Sequence, residues 1–295
     1  MNSARPHPAW VPWVFIAPFV VIFGTFAVWP LLRSLQLAFE QTCGAQTHVF
    51  VGLKNFRYLV LDPMFWQAMG NTILFTVGTV AVQVPLALGL ALLLNRPDLR
   101  GRAVFRLIFF SPSLIGMVFV AMLFSPLLEK RTGLVNIWLH ALLPAWNIEF
   151  AWLETYSMTA LILASVWMGA GFMMVYFLAA LQHVPRELTD AASIDGAGPW
   201  QRFWHVVLPE IRPVVGLMTL LAAVGSMQLF DLPYLLLGET GGLNGRGLTI
   251  VMYLYQTGFT VGDLGYASAI GWVLALLLIG LALVQRRLAR RTRED

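Results

Sequence analysis

Residues 184–209 read Val184-Pro-Arg-Glu-Leu-Thr-Asp-Ala-Ala-Ser-Ile-Asp-Gly-Ala-Gly-Pro-Trp-Gln-Arg-Phe-Trp-His-Val-Val-Leu-Pro209. Pro185 can open a helix, because a first-turn residue needs no backbone donor. Leu188, Ala191 and Ala192 then fall on one face at i, i+3 and i+4. Gly196 suits a left-handed terminus and Pro199 forbids simple continuation, so a short helix of about two turns is predicted to end at the glycine. A second pattern follows at once. Trp200, Phe203, Trp204, Val207 and Leu208 recur at i, i+3, i+4, i+7 and i+8, with Gln201, Arg202 and His205 off the stripe. That pattern predicts a helix lying at a membrane interface, anchored by its aromatics. The two helices make a compact knob on which Ala191, Ala192, Gly196 and Ala197 are small enough to let another surface approach closely.

An interfacial helix requires a membrane, and the flanking sequence supplies one. A spanning helix needs roughly 20 mainly apolar residues, and six such runs occur at about 11–32, 72–94, 107–128, 158–181, 213–236 and 267–284. The whole chain agrees: 58% of its 295 residues are hydrophobic and only 12% charged, and mean hydropathy is +0.73. A water-facing domain usually carries about 25% charged residues. The expected fold is an all-α integral membrane protein of six transmembrane helices, in one domain over 1–295 with no second, soluble domain. The first run exceeds the roughly 7–15 apolar residues of a signal-peptide core, and no small-x-small cleavage site follows it, so it reads as a retained helix. Residues 51–67 have the apolar spacing of a short interfacial helix. Residues 134–143 fit such a helix and a plain loop equally.

Orientation follows from lysine and arginine. With the N-terminus cytoplasmic, the inner segments hold thirteen basic residues: Arg5, Arg96, Arg100, Arg102, Arg106, Arg186, Arg202, Arg212, Arg286, Arg287, Arg290, Arg291 and Arg293. The outer segments hold six: Arg33, Lys54, Arg57, Lys130, Arg131 and Arg246. Both termini are therefore expected inside. A pI near 9.5 would fit nucleic acid, but short basic clusters between apolar runs are a topology signal rather than a polyanion-binding stripe. Cys43, the single cysteine, cannot form an internal disulfide, and no Cys/His cluster has metal-ligand spacing. The five histidines (His7, His48, His140, His183, His205) are scattered and support no catalytic constellation.

The 184–209 stretch resembles the coupling loop of ABC importer permeases, whose pattern is Glu-Ala-Ala, three residues, Gly, and a later Leu-Pro. Here it stands as Asp190-Ala191-Ala192, Gly196 and Leu208-Pro209, with Glu187 just before. The surrounding Ile-Asp-Gly-Ala and Arg-Phe-Trp look like the carbohydrate-uptake, maltose-type branch. Phe50-Val-Gly-Leu-Lys-Asn-Phe56, residues 65–72, Tyr253-Leu-Tyr-Gln-Thr-Gly-Phe259 and Asp263-Leu-Gly-Tyr-Ala-Ser-Ala269 look like blocks of the first of the two permeases of sugar systems. The resemblance implies a type I ABC importer transmembrane domain with a family-type core over about 70–285 and a coupling loop over 184–212. It also implies a second homologous permease, two ABC ATPase subunits and an extracytoplasmic solute-binding protein as partners, surrounding lipid, and a bacterial cytoplasmic (inner) membrane location. In such families the loop docks into a cleft of the ATPase and transmits its closure to the spans. The departure is Asp190 in place of Glu, an arm shorter by one methylene.

A P-loop needs Gly-Lys followed by Ser or Thr. The two lysines, Lys54 and Lys130, follow Leu53 and Glu129, so this chain holds no ATP site. ATP and its Mg2+ are expected on the partner subunits, with no cofactor here. The alternative is a self-contained, ion-driven carrier. Asp231 is the one intramembrane candidate for it, and a residue wetted or paired at the outer end explains it as well. A solute site needs hydrogen-bonding groups and an aromatic face. Gly225, Gln228 and Asp231 follow at three-residue intervals, and Ser165, Gly169 and Phe172 share a face, with Trp167 and Met168 beside it. Residues 166–169 and 225–228 look like the cavity-lining helices of maltose-type permeases. By that resemblance Ser165, Met168, Gly169, Phe172 and Gln228 are the candidate solute-binding residues. Gly and Ser also serve close helix packing in membranes, and Phe172 also fits a lipid-facing position. Gln83 and Ser111 read as packing groups.

Overall fold

The computed structural model describes residues 10–43, 47–96, 98–145 and 149–294. Arg5 and His7 lie outside them. In chain order the elements are α1 (Val11–Phe23), a π turn (Gly24–Val28), α2 (Trp29–Leu37), β1 (Glu40–Cys43), β2 (Thr47–Phe50), α3 (Lys54–Leu61) and α4 (Pro63–Leu94). Next come α5 (Arg102–Phe110), a 3-10 turn (Ser111–Leu114), α6 (Met117–Leu127), α7 (Leu134–Leu142), α8 (Ser157–Gln182) and α9 (Arg186–Ile194). The chain then forms α10 (Pro199–Arg202), a π turn (Phe203–Val207), α11 (Leu208–Met227) and α12 (Asp231–Leu237), followed by α13 (Ile250–Tyr255) and α14 (Leu264–Glu294).

Among the described residues, five continuous helices are long and apolar enough to cross a membrane: Trp13–Leu37, Pro63–Leu94, Ser157–Gln182, Pro199–Met227 and Leu264–Arg287. A sixth span is made if Arg102–Leu114 and Met117–Leu127 are taken together, although they meet at 99°. The run at 107–128, expected as one helix, is thus broken. Ile115 (ψ 133°) and Gly116 (ψ 148°) are both extended, just after a turn opened by Pro112. The fifth expected run is displaced as well. Its helix starts at Pro199 instead of 213 and stops at Met227, and α12 begins only after a break. Pro233 explains the break: it has no N–H for the Leu229 carbonyl, which instead accepts the Thr249 hydroxyl at 2.8 Å. The Trp200–Leu208 segment, expected as a separate interfacial helix, is continuous with this span through the π turn. The short helix expected within 51–67 is present as α3 and residues 134–143, which fit helix and loop equally, form α7, but α4 already starts at Pro63, well before residue 72. The β1–β2 ribbon, with Glu40 opposite Phe50, had no counterpart in the sequence reading.

The chain divides into two compact units. The first comprises Met1–Asp62 with Leu254–Val273. There Asn55 donates to the carbonyls of Ala38 (3.0 Å) and Glu40 (2.9 Å), fixing α3 to the exit of α2. Asp263 caps α14 by accepting the Tyr266 N–H at 3.0 Å, and the Tyr266 hydroxyl donates to Asp62 at 2.6 Å. A Cβ on Gly265 would lie 2.0 Å from the Glu40 carbonyl oxygen, so this position is closed to any larger residue. The outward residues of α1, Phe15 among them, are exposed, as expected of a lipid-facing helix.

The second unit comprises Pro63–Tyr253 with Leu274–Asp295. Its centre is α4 against α8, with α11 packed on α4, α5 on α8 and α12 on α6. One apolar cluster joins Ala87, Ala91 and Leu94 of α4 to Met174, Phe177 and Leu181 of α8 and to Ile211 and Met218 of α11. Another joins Phe75, Val120, Leu161, Ala164 and Leu232. Asn71 donates to the carbonyls of Gly245 and Leu248 (2.8 and 3.0 Å). The Thr72 hydroxyl accepts the Ile250 N–H at 2.9 Å. These two residues therefore tie the 238–250 connection to the start of α4.

Candidate functional site

The first helix of the 184–209 loop folds as its sequence dictates, with one shift. Pro185 is the N-cap of α9 (ψ 128°) instead of its first helical residue. The helix ends in a Schellman arrangement: Ala197 N–H donates to Ala192 O at 2.9 Å and Gly196 N–H to Ser193 O at 3.1 Å. That closure requires Gly196 at φ 83°, a conformation in which Cβ is penalised. The next residues are fastened back: Arg202 Nη1 donates to Ser193 Oγ at 2.6 Å, and Gln201 Oε1 accepts the Gly198 N–H at 2.9 Å. The knob is fastened by these bonds but has no core. None of α9 is buried, Ile194 is 87% exposed and Trp200 70%. Glu187, Asp190, Ala191 and Gly196 are exposed and Ala192 half-buried, while Leu208 and Pro209 lie where the π turn enters α11. The carboxylate of Glu187 sits in the first turn of α9, where the helix dipole favours it. What the knob offers is a small-residue face bordered by carboxylates and aromatics, mounted directly on a spanning helix.

The helices α8 and α11 bound a cavity of about 370 Å3 whose walls include Ala180, Ile211, Val214 and Met218, with His183 and Glu210 also lining it. Tyr176 lines it too and meets the Phe172 ring at 5.0 Å. The sequence-derived solute candidates on α8 lie from there toward its N-terminus. Phe172 is 46% exposed. Met168 packs into the cluster around Phe75. A Cβ on Gly169 would stand 2.5 Å from Gln83 Nε2, so the carboxamide of α4 rests against this glycine. The Ser165 hydroxyl is buried without a hydrogen-bond partner. Gln228 is apart from this group, exposed at the C-cap of α11 with φ −100° and ψ 13°. The helix ends there, so the face expected to run through Gly225, Gln228 and Asp231 stops before Asp231. That carboxylate is exposed at the first position of α12, where the helix N-terminus favours its charge.

Two features of this region escaped the sequence reading. Gln83, expected only as a packing group, contacts Gly169, and the clue was an amide at i+4 and i+7 from Thr79 and Thr76. Gly171 is where α8 touches backbone: a Cβ there would stand 1.7 Å from Phe109 O. Among the described residues no group of three or more His, Cys, Asp or Glu could hold a metal ion.

Among the described residues, the one marked change in acidity lies outside the spans. Glu129 accepts N–H bonds from Thr132 (2.5 Å) and Arg131 (2.7 Å) and the Thr132 hydroxyl at 2.9 Å. These bonds, the Thr132 N–H foremost, hold its carboxyl below the usual carboxylate range.

A family described as "Binding-protein-dependent transport system inner membrane component" matches residues 83–294. The lactose transport system permease protein LacF of Rhizobium radiobacter is 34% identical over 281 residues, covering 94% of this chain and 93% of LacF. The sn-glycerol-3-phosphate transport system permease protein UgpA of Yersinia enterocolitica is 32% identical over 296 residues, covering 99% and 98%. The fold is similar to that of a bacterial ABC transporter involved in import of the acidic polysaccharide alginate, with TM-score 0.82 at 24% identity over 96% of both chains.

Proposed function

The chain belongs to the binding-protein-dependent transport system inner membrane component family, and from that premise we propose which of its residues couple ATP to transport and which meet the solute. It is a membrane-spanning permease subunit of an ABC importer for a sugar or sugar-like solute, integral to the inner membrane. It is not an enzyme. Its partners are a second permease, ATPase subunits that hydrolyse ATP, and an extracytoplasmic solute-binding protein. The ion-driven alternative has no support.

The coupling element is the exposed α9–Gly196 knob, with Glu187, Asp190, Ala191, Ala192, Gly196, Leu208 and Pro209 as its working residues. The observation that carries this is mechanical: α9 is fastened across the 195–198 turn by the Arg202–Ser193 hydrogen bond to the helix Pro199–Met227, which runs through Phe203–Val207 into the membrane. A push on α9 is therefore passed to the span through that bond and the short turn. Two ATPases close on ATP and Mg2+ bound to themselves, the knob moves with them, and the spans exchange inward- for outward-facing states. Arginine asymmetry supports this orientation, with both termini cytoplasmic. The whole chain acts as one permease domain. On the solute side we assign Ser165, Met168, Gly169, Phe172 and Gln228 to the path, supported by the exposed Phe172 ring and the unpaired Ser165 hydroxyl, two turns apart on α8.

The test is a mild-detergent pull-down of the tagged chain from its native membrane, with partners identified by mass spectrometry. Wild type should bring down a second permease and a P-loop ATPase. Gly196→Asn, which tolerates positive φ, should retain the ATPase, while Gly196→Val should lose it and keep the second permease. Equal ATPase recovery with Val would refute the coupling role, and a lone chain that still transports without ATP would refute the permease reading.

A further inference from the structure

The α4–α8 seam holds polar groups that packing does not satisfy. Thr76, Thr79 and Gln83 fall at i, i+3 and i+7 of α4, on one face. Their register against α8 is set by two contacts: a Cβ on Gly78 would stand 2.5 Å from Ile162 Cδ1, and one on Gly169 2.5 Å from Gln83 Nε2. Ser165 falls between those two points on α8. A threonine in a membrane helix ordinarily satisfies itself through the carbonyl one turn back. Thr72 does so with Ala68 O and Thr219 with Val215 O, both at 2.8 Å. Thr76, Thr79 and Ser165 do not: their hydroxyls are buried and lack any partner, although an unpaired polar group is costly inside a bilayer. Thr79 is 2% exposed and so lies behind the others. Thr76, Gln83, Ser165 and Gly169 are half-buried and Phe172 is exposed, so they form the outer edge of the seam.

We propose that Gln83 is a solute-contacting residue, its carboxamide lying with the Ser165 hydroxyl and the Phe172 ring along one wall of the translocation path, and that the solute recognised there is an uncharged sugar. The inference rests on the permease reading above and deepens it. A carboxamide offers two donors and an acceptor, and each threonine or serine hydroxyl offers both. Sugar hydroxyls are also donors and acceptors at once, and an exposed aromatic ring beside them suits the C–H face of a pyranose. An anionic solute such as a sugar phosphate would call for arginine or lysine on this wall. Neither α4 nor α8 carries a charged residue over Pro63–Leu94 or Ser157–Gln182.

The importer, purified with its partners and binding protein, is reconstituted in vesicles and offered radiolabelled lactose, arabinotriose and sn-glycerol 3-phosphate. Gln83→Leu is expected to raise KM for the neutral sugar at least tenfold, and Gln83→Asn to recover much of that loss. In a Cys43→Ser background, Gln83→Cys should react with a membrane-impermeant thiol reagent and be protected by saturating sugar, which a residue in a dry seam would not show. An unchanged KM, or a Gln83→Cys thiol that is unreactive or unprotected, would overturn the role of Gln83. Wild-type uptake of sn-glycerol 3-phosphate alone, or of none of the three, would overturn the solute class. Neither result touches the permease reading, which stands or falls on recovery of the ATPase.

Discussion

Gly171→Ala is the sharpest probe of how α8 meets α5. The new Cβ would stand 1.7 Å from Phe109 O, 2.5 Å from Phe109 C and 3.0 Å from Phe110 Cα, and all three are backbone atoms that no rotamer change can remove. A carbon and a carbonyl oxygen need roughly 3.3 Å between them, so the helices must part by about 1.6 Å at this point. Overpacking of this kind costs about 1–3 kcal/mol, and the upper end applies where backbone must move. Replacing a helical glycine by alanine returns about 1 kcal/mol of propensity, which leaves a net loss of about 2 kcal/mol. At roughly 2–4 °C per kcal/mol, the midpoint for heat-induced loss of the detergent-solubilised monodisperse peak should fall by about 4–8 °C. Gly89→Ala is the matched control, because it lies inside α4 with nothing within 4 Å of the new Cβ, and it should leave the midpoint unchanged or slightly raised. If Gly171→Ala behaves like Gly89→Ala, α5 and α8 do not approach through this glycine and the backbone contact between them is refuted.

Further expectations follow from the connection between α6 and α8. Asn136 is fully buried, donates to the carbonyls of Lys130 (3.1 Å) and Phe150 (2.9 Å) and accepts Trp152 Nε1–H at 2.8 Å. Asn136→Ala removes those three bonds and should lower thermal stability by about 2–3 kcal/mol; a midpoint within a degree of wild type would contradict that network. Because the Glu129 carboxyl is held below its ordinary range, its contribution is present above the unfolded carboxylate pKa and fades as pH falls through the lowered folded one. Hydrogen exchange of the Thr132 amide should therefore accelerate, after correction for intrinsic rates, only in that acidic window. Glu129→Gln should remove the pH dependence, and a profile identical to wild type would rule out Glu129 as its source. Gly133→Ala should disturb the same turn, since its Cβ would stand 2.1 Å from Glu129 O, and chymotryptic cleavage within α7 is the readout.

The amino-acid sequence determines a good deal of this protein by itself. Long apolar runs with so few charges have one stable solvent, and basic residues between them bias which side each loop occupies. The end of α9 at Gly196 is equally local, because a Schellman closure needs only a residue free to adopt positive φ and a proline soon after. Distant partners decided the rest. The span that looked as if it ran from 213 to 236 stops at Met227, and the Leu229 carbonyl that Pro233 leaves unpaired is taken by Thr249, 20 residues away. The third run bends at Ile115–Gly116, a position that hydropathy averages over because both residues are apolar or neutral. Glycines look alike in the sequence, yet Gly171 meets a backbone carbonyl while Gly225 has nothing within 4 Å. In the same way Gln83 reads as one polar residue in an apolar helix until α8 places Gly169 against it. Periodicity reports which face a residue takes on its own helix; what stands opposite that face is set by packing between segments far apart in the chain.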